Sequence, residues 1–189
     1  MNIRNPKNRE ELKQMYDMSK SYTNNHQTWG EFLAKYRKHP DLFLVIYEGT
    51  KLIAEAFGYV REDGEGHLHS IAVFGTEWNK GIGTELIHAF ERACSKYTSI
   101  LSVSTKGKPE KFYRKVGYKL QGILAVYENG RKMPQSLDIK PSTKSIRQRD
   151  NTRFAFFPTS PEMTKQQIKD LELKLEADDI CITFEKRLK

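Results

Sequence analysis

The stretch Ser70-Ile71-Ala72-Val73-Phe74-Gly75-Thr76-Glu77-Trp78-Asn79-Lys80-Gly81-Ile82-Gly83-Thr84 holds residue types suited to gripping a phosphate. An apolar run ends, a polar loop follows, and two glycines lead into an amphipathic segment with Ile82, Leu86, Phe90, Ala93 and Tyr97 on one stripe. The first N–H groups of a helix have no intrahelical acceptor and carry partial positive charge. Glycine removes the Cβ that would keep an anion at a distance, and Thr84 adds a hydroxyl. Asn79, Lys80, Gly81, Ile82, Gly83 and Thr84 therefore form a candidate phosphate cradle. The bland alternative is a helix start whose glycines merely permit close packing. The Gly-Lys-Ser/Thr ending of a P-loop is absent, and Leu86 stands where a dinucleotide fingerprint needs its third glycine.

A second group of reactive side chains precedes the turn, in His67-Leu68-His69. Strand alternation would put residues 67, 69, 71 and 73 on one face. An imidazole accepts a proton near pH 7, so His67, or alternatively His69, is a candidate base. Glu55 on the neighbouring strand is a third option. Against each stands the ordinary reading of a strand residue with no chemical part. No His/Cys spacing suggests a zinc site, so no metal is expected. Cys94 reads as a packed helix residue, and two cysteines make no disulfide framework.

These groups need a scaffold. Asn8 with Glu11, and Thr28 with Glu31, mark two helix starts. Three β-prone runs follow, at about 42–47, 52–60 and 67–74, with short turns between them, as in an antiparallel meander. The glycine turn opens a long helix to about Lys96. A strand at 100–103, a short helix at 109–116 and a strand at 118–126 come next. Strand, crossover helix and strand imply one parallel pair. Residues 135–153 read as a polar loop or hinge. Beyond them lie a short strand at 154–157, a helix capped by Thr164 and Gln167, and a strand at 180–184 that either closes the sheet or leaves that place to residues 136–139.

This order resembles the GNAT superfamily of acyl-CoA-dependent N-acetyltransferases, over about residues 1–130. Two motifs carry the resemblance. One is the Arg/Gln-x-x-Gly-x-Gly/Ala turn, here Trp78-Asn79-Lys80-Gly81-Ile82-Gly83, with Trp78 replacing the usual Arg or Gln. The other is Phe112-Tyr113-Arg114-Lys115-Val116-Gly117-Tyr118. The resemblance implies an α+β, three-layer fold: a mixed, mostly antiparallel central sheet flanked by helices. It divides the chain into an acyl-CoA-binding domain at 1–133 and a C-terminal extension at 134–189. Acetyl-CoA is the implied co-substrate. It would lie where strands 67–74 and 100–103 splay apart, with the backbone of Ile71, Ala72 and Val73 along the pantetheine arm. The Asn79 to Thr84 turn would hold the diphosphate, with Phe112 beside it. An amine would attack the thioester directly. Tyr113 matches the position whose phenol protonates the departing thiolate. Where the family often has a glutamate on the strand before the turn, or a water wire reaching one, His67-Leu68-His69 stands instead, and His67 is the expected base. Lys106 stands about where the family often has an asparagine.

The implied reaction is acetyl transfer to a primary amine of an unidentified small molecule or protein. An acyl-CoA-binding module without catalysis is the alternative. The net charge of +8 raises a third reading, nucleic-acid binding, which lacks a recognisable motif and is disfavoured. Lys106, Lys108, Lys111, Arg114, Lys115 and Lys119, opposed by Glu110, suit the phosphates of CoA or form a solvated basic face. No 18-residue apolar run occurs, so no membrane partner is expected. The expected location is the cytoplasm, and a homodimer is left open, with the C-terminal tail on a second subunit.

Overall fold

The computed structural model describes residues 1–23, 27–106, 109–129, 145–149, 152–160 and 163–189. The chain forms two compact units, Met1–Ser102 with Arg187–Lys189, and Val103–Lys186.

In the first unit, helix α1 (Arg9–Thr23) starts where Asn8 Oδ1 accepts the Glu11 amide at 2.9 Å. The Glu11 carboxylate does not return the bond to the cap. It takes both Arg4 guanidinium nitrogens, at 2.7 and 2.8 Å, and the Lys7 amide. Those bonds, Arg4 first, hold its pKa down at about 2 and tie strand β1 (Ile3–Arg4) to the helix. Helix α2 (Trp29–Lys38) has a reciprocal cap: the Glu31 amide donates to Thr28 Oγ1, and the Thr28 amide donates to Glu31 Oε2. It stops before Pro40, where the α conformation is disfavoured.

Strands β2 (Phe43–Glu48), β3 (Lys51–Val60) and β4 (Gly66–Val73) form the antiparallel meander, with β1 on the outer edge of β2. Helix α3 (Ile82–Cys94) then crosses to β5 (Ile100–Thr105), the sheet neighbour of β4. The starts of β4 and β5 lie side by side, since Ser102 Oγ donates to the Gly66 carbonyl at 3.1 Å. Helices α1 and α2 cover one face. Phe32 is their wholly buried centre, 5.2 Å from the Phe43 ring and 5.0 Å from the Phe57 ring. Helix α3 covers the other face through Ile82, Leu86, Ile87, Phe90 and Cys94. Tyr97 leaves the expected stripe: it is exposed and donates to Asp41.

Strand β4 contains a bulge that alternation alone would not place. Phe57 pairs with Ser70 and Gly58 pairs with Leu68, leaving His69 as the extra residue. Gly58 permits it, because a Cβ there would sit 2.2 Å from the His67 carbonyl oxygen. The single face expected for 67, 69, 71 and 73 is therefore broken. His67, His69, Ser70 and Ala72 turn toward α1 and α2, and Ile71 and Val73 toward α3, because one inserted residue resets a period of two.

In the second unit, helix α4 (Glu110–Lys115) precedes strand β6 (Lys119–Tyr127). Strands β7 (Ser145–Arg149), β8 (Thr152–Pro158) and β9 (Asp179–Arg187) complete an antiparallel order β9-β6-β8-β7. Helix α5 (Lys165–Leu175) has the Thr164–Gln167 box and buries Ile168, Leu171 and Leu175. Tyr127 pins its end by donating to the Leu175 carbonyl at 2.8 Å. The strand expected at 180–184 lies within β9 and pairs with β6. The loop expected over 135–153 is wrong at its end, where 145–149 pair with β8. A free strand edge satisfies backbone groups whatever the side chains, so hydropathy did not mark it. Residues 136–139 lie outside the described residues. Among the described residues, no helix is long and apolar enough to cross a membrane.

Candidate active site

Strand β4 leads through one 3-10 turn (Gly75–Glu77) into the start of α3. Asn79, at φ 65°, and Gly81, at φ 81°, both take left-handed backbone, which turns the chain sharply. Gly81 is the N-cap residue and has no side chain to cap the helix. The Thr84 and Glu85 amides return to the Gly81 carbonyl at 3.0 and 3.1 Å. The Ile82 and Gly83 amides precede those bonds, at the positive end of the helix dipole. Ile82 offers only its amide, because its side chain is buried. Lys80 pairs with Glu77 at 2.9 Å and holds that carboxyl below its usual range. The ammonium of Lys51 lies 4.0 Å from the Phe74 ring centre. An uncapped helix start preceded by Lys80 has the chemistry to take a diphosphate.

Sequence reasoning saw Trp78 only as a departure from a motif. Its indole N–H donates to the Val73 carbonyl at 2.7 Å while the ring stays 60% exposed. That bond folds the loop back onto the strand it has just left. Ile71, Ala72 and Val73 pair with Ala56, Glu55 and Ala54, so this part of β4 is a regular strand beyond the bulge.

The α1/α2 side of β4 is a buried polar patch. His67 Nδ1 lies 2.8 Å from Arg61 Nη2 and 3.2 Å from Ser102 Oγ. A guanidinium only donates, so Nδ1 accepts and the ring hydrogen sits on Nε2. Burial first, then the charge of Arg61, pushes the His67 pKa well below its ordinary value. His69 packs 5.2 Å from the Phe57 ring, and burial with the Lys35 charge brings it down to about 3. Glu55 is wholly buried; its Oε1 accepts from Ser70 Oγ at 2.5 Å, and its Oε2 has no partner among the described residues. Burial pushes its carboxyl up to about 8, against a smaller lowering by the Ser70 bond.

Tyr113 and Phe112 belong to the second unit. Tyr113 is buried, with rings of Phe112, Tyr118 and Phe184 at 5.2, 5.7 and 5.9 Å. No described residue bonds its hydroxyl. Burial raises its pKa, so the phenol keeps its proton across the neutral range. Phe112 is half-buried beside it. In the basic run, Arg114 pairs with Glu110 at 2.9 Å and Lys106 pairs with Asp179, while Lys108 lies outside the described residues. Among the described residues, no three His, Cys, Asp or Glu side chains group as a metal site would need.

Residues 9–118 match the model of the acetyltransferase (GNAT) family. The chain belongs to that family. No curated protein matches it. Among solved structures, this GNAT acetyltransferase is similar to Ard1 from Thermoplasma volcanium, with 16% identity and a TM-score of 0.56 over 84% of this chain and 97% of that one. It is also similar to Naa20 from Chaetomium thermophilum in complex with a bisubstrate analogue, with 18% identity and a TM-score of 0.57 over 89% and 90%. A GNAT acetyltransferase from Elizabethkingia anophelis with acetyl-CoA bound gives 16% identity and 0.56 over 99% and 97%. At such identities the likeness is one of fold: a mixed, mostly antiparallel sheet flanked by helices, the class read from the sequence.

Proposed function

We propose that this GNAT domain moves an acetyl group from acetyl-CoA to a primary amine of a small molecule or a protein. The observation that carries the reading is the uncapped start of α3, with left-handed Gly81 and the Ile82 and Gly83 amides ahead of the first helical bonds. In this reading the Asn79, Lys80, Gly81, Ile82, Gly83 and Thr84 turn holds the diphosphate, mainly through backbone amides. The backbone of Ile71, Ala72 and Val73 runs along the pantetheine, and Phe112 is assigned to the cofactor by its motif position. Bound acetyl-CoA supplies the activated acyl group. Tyr113 gives its hydroxyl proton to the departing sulfur; its support is the motif position and a buried phenol with no described partner.

His67 is not given the base role expected of it. Its Nδ1 lone pair faces Arg61, its Nε2 carries hydrogen, and burial lowers its basicity.

Calorimetric titration with acetyl-CoA, then thiol release over a panel of primary amines, tests the reading. Binding heat and amine-dependent thiol release are expected. No heat defeats the reading, and heat without thiol release leaves an acyl-CoA-binding module. Tyr113→Phe is expected to bind acetyl-CoA normally and turn over on the order of 10²-fold more slowly. Unchanged turnover removes Tyr113 from the mechanism.

A further inference from the structure

We propose that Trp78 is a positioning residue for the diphosphate turn: its indole bond to the Val73 carbonyl sets the loop in the shape that presents the first amides of α3. The inference rests on the acetyl-transfer reading above. Burial does not account for the side chain. The ring is 60% exposed, so the core would lose little without it. Its polar atom is already engaged. An indole carries a single N–H donor and no acceptor, and that donor lies 2.7 Å from the Val73 carbonyl oxygen. Trp78 therefore has no hydrogen bond left for a phosphate. What it does for the diphosphate, it does through the loop.

The loop needs a tether. Ala72 is buried and so is Ile82, but none of residues 73–81 between them is. No side chain sunk in the core anchors the chain over that span. Two of its residues, Asn79 at φ 65° and Gly81 at φ 81°, take left-handed backbone, which is uncommon for any residue but glycine. Several bonds hold the loop only to itself. Thr76 Oγ1 donates to Glu77 Oε1 at 3.2 Å, and Lys80 pairs with Glu77. The Glu77 and Trp78 amides return to the Phe74 and Gly75 carbonyls. None of these reaches β4. Among the described residues, the indole bond is the one that joins residues 75–80 to that strand.

The ends of this bond matter. Val73 is the last residue of β4 and the last of the stretch assigned to the pantetheine. Trp78 stands immediately before left-handed Asn79. One bond thus fixes the turn assigned to the diphosphate against the strand assigned to the next part of the coenzyme. Without it the loop samples other shapes, and affinity falls with the fraction of chains in the competent one. The diphosphate is held alike in ground and transition states, so the loss belongs in KM and not in kcat. The pantetheine stretch is held by its pairing with Ala54, Glu55 and Ala56 on β3, which does not involve the loop. A donor without a diphosphate should not feel the change.

The test compares the full wild-type chain with Trp78→Phe, which keeps an aromatic ring and removes the N–H. Acetyl-CoA and S-acetylpantetheine, which lacks the diphosphate, are each titrated by calorimetry. Trp78→Phe is expected to bind acetyl-CoA about 3- to 10-fold more weakly, the range for one neutral hydrogen bond. Its affinity for S-acetylpantetheine is expected to stay within about twofold of wild type. With any amine that turns over, KM for acetyl-CoA is expected to rise by the same factor as the dissociation constant, with kcat within about twofold. A merely structural role would weaken both donors alike, so equal weakening overturns the proposal. Unchanged acetyl-CoA affinity in Trp78→Phe overturns it too, as does a fall in kcat with KM unmoved. If Trp78→Phe does not fold, the wild-type chain decides. It has two tryptophans, and the indole N–H resonance of one is expected to shift on titration with acetyl-CoA. Two stationary indole resonances overturn the proposal. Failure of the wild-type chain to bind acetyl-CoA defeats the acetyl-transfer reading itself, whereas normal binding by both chains defeats this inference alone.

Discussion

The carboxyl of Glu55 makes folding stability depend on pH in a way that one substitution removes. Its pKa stands at about 8 in the folded chain, against an ordinary value of 4.5, and burial is the main cause. Between those values the native state holds a proton that the unfolded chain has lost. Raising the pH therefore favours unfolding. The contribution is fully present below the ordinary value and is lost as pH climbs through about 8. At about 1.4 kcal/mol per unit, the loss between about pH 5 and about pH 8 comes to about 3 to 4 kcal/mol. The side chain is wholly buried, so solvent screening does not reduce it. Glu55→Gln keeps the shape and has nothing to titrate. Urea unfolding of both chains across this range reads the difference, since the other groups cancel. With a slope of about 2 to 3 kcal/mol per M urea, the wild-type midpoint is expected to fall by more than about 1 M relative to the variant. Two midpoints that move in parallel would refute the buried, proton-holding carboxyl.

Two glycines give contrasting expectations. Gly58→Ala sets a Cβ 2.2 Å from a backbone oxygen and 2.6 Å from the Phe90 ring, so the bulge must shift; a loss of about 3 kcal/mol or more is expected in chemical denaturation, and wild-type stability would deny the close approach. Gly81→Ala meets no atom within 4 Å, and its cost of about 1 to 2 kcal/mol comes only from the positive φ. A fall in Tm of about 2–8 °C with weaker acetyl-CoA binding is expected, and unchanged affinity would remove the turn from the binding site.

What was readable in advance was local. The Thr28 and Thr164 boxes close over three residues, and both appear where the residue types put them. The meander, the glycine turn and α3 follow from runs and stripes whose partners lie within one element or one turn. The Glu55–Ser70 bond joins residues fifteen apart, and the Trp78 bond reaches back to a strand already finished. Neither has a periodic signal.

By itself the sequence determined most element types, the Thr28 and Thr164 caps, the sharp turn at Gly81 and the resemblance to the GNAT family, because each depends on residues close along the chain or on the spacing within a motif. Only the tertiary structure decided that His69 is an extra residue, that Ser70 faces Glu55, and that Arg61 faces the His67 lone pair. The physical reason is register. A strand's neighbour determines which residues oppose one another and which side chains lose water. That pairing depends on Gly58 letting two backbones approach, a property of two strands together and of neither alone.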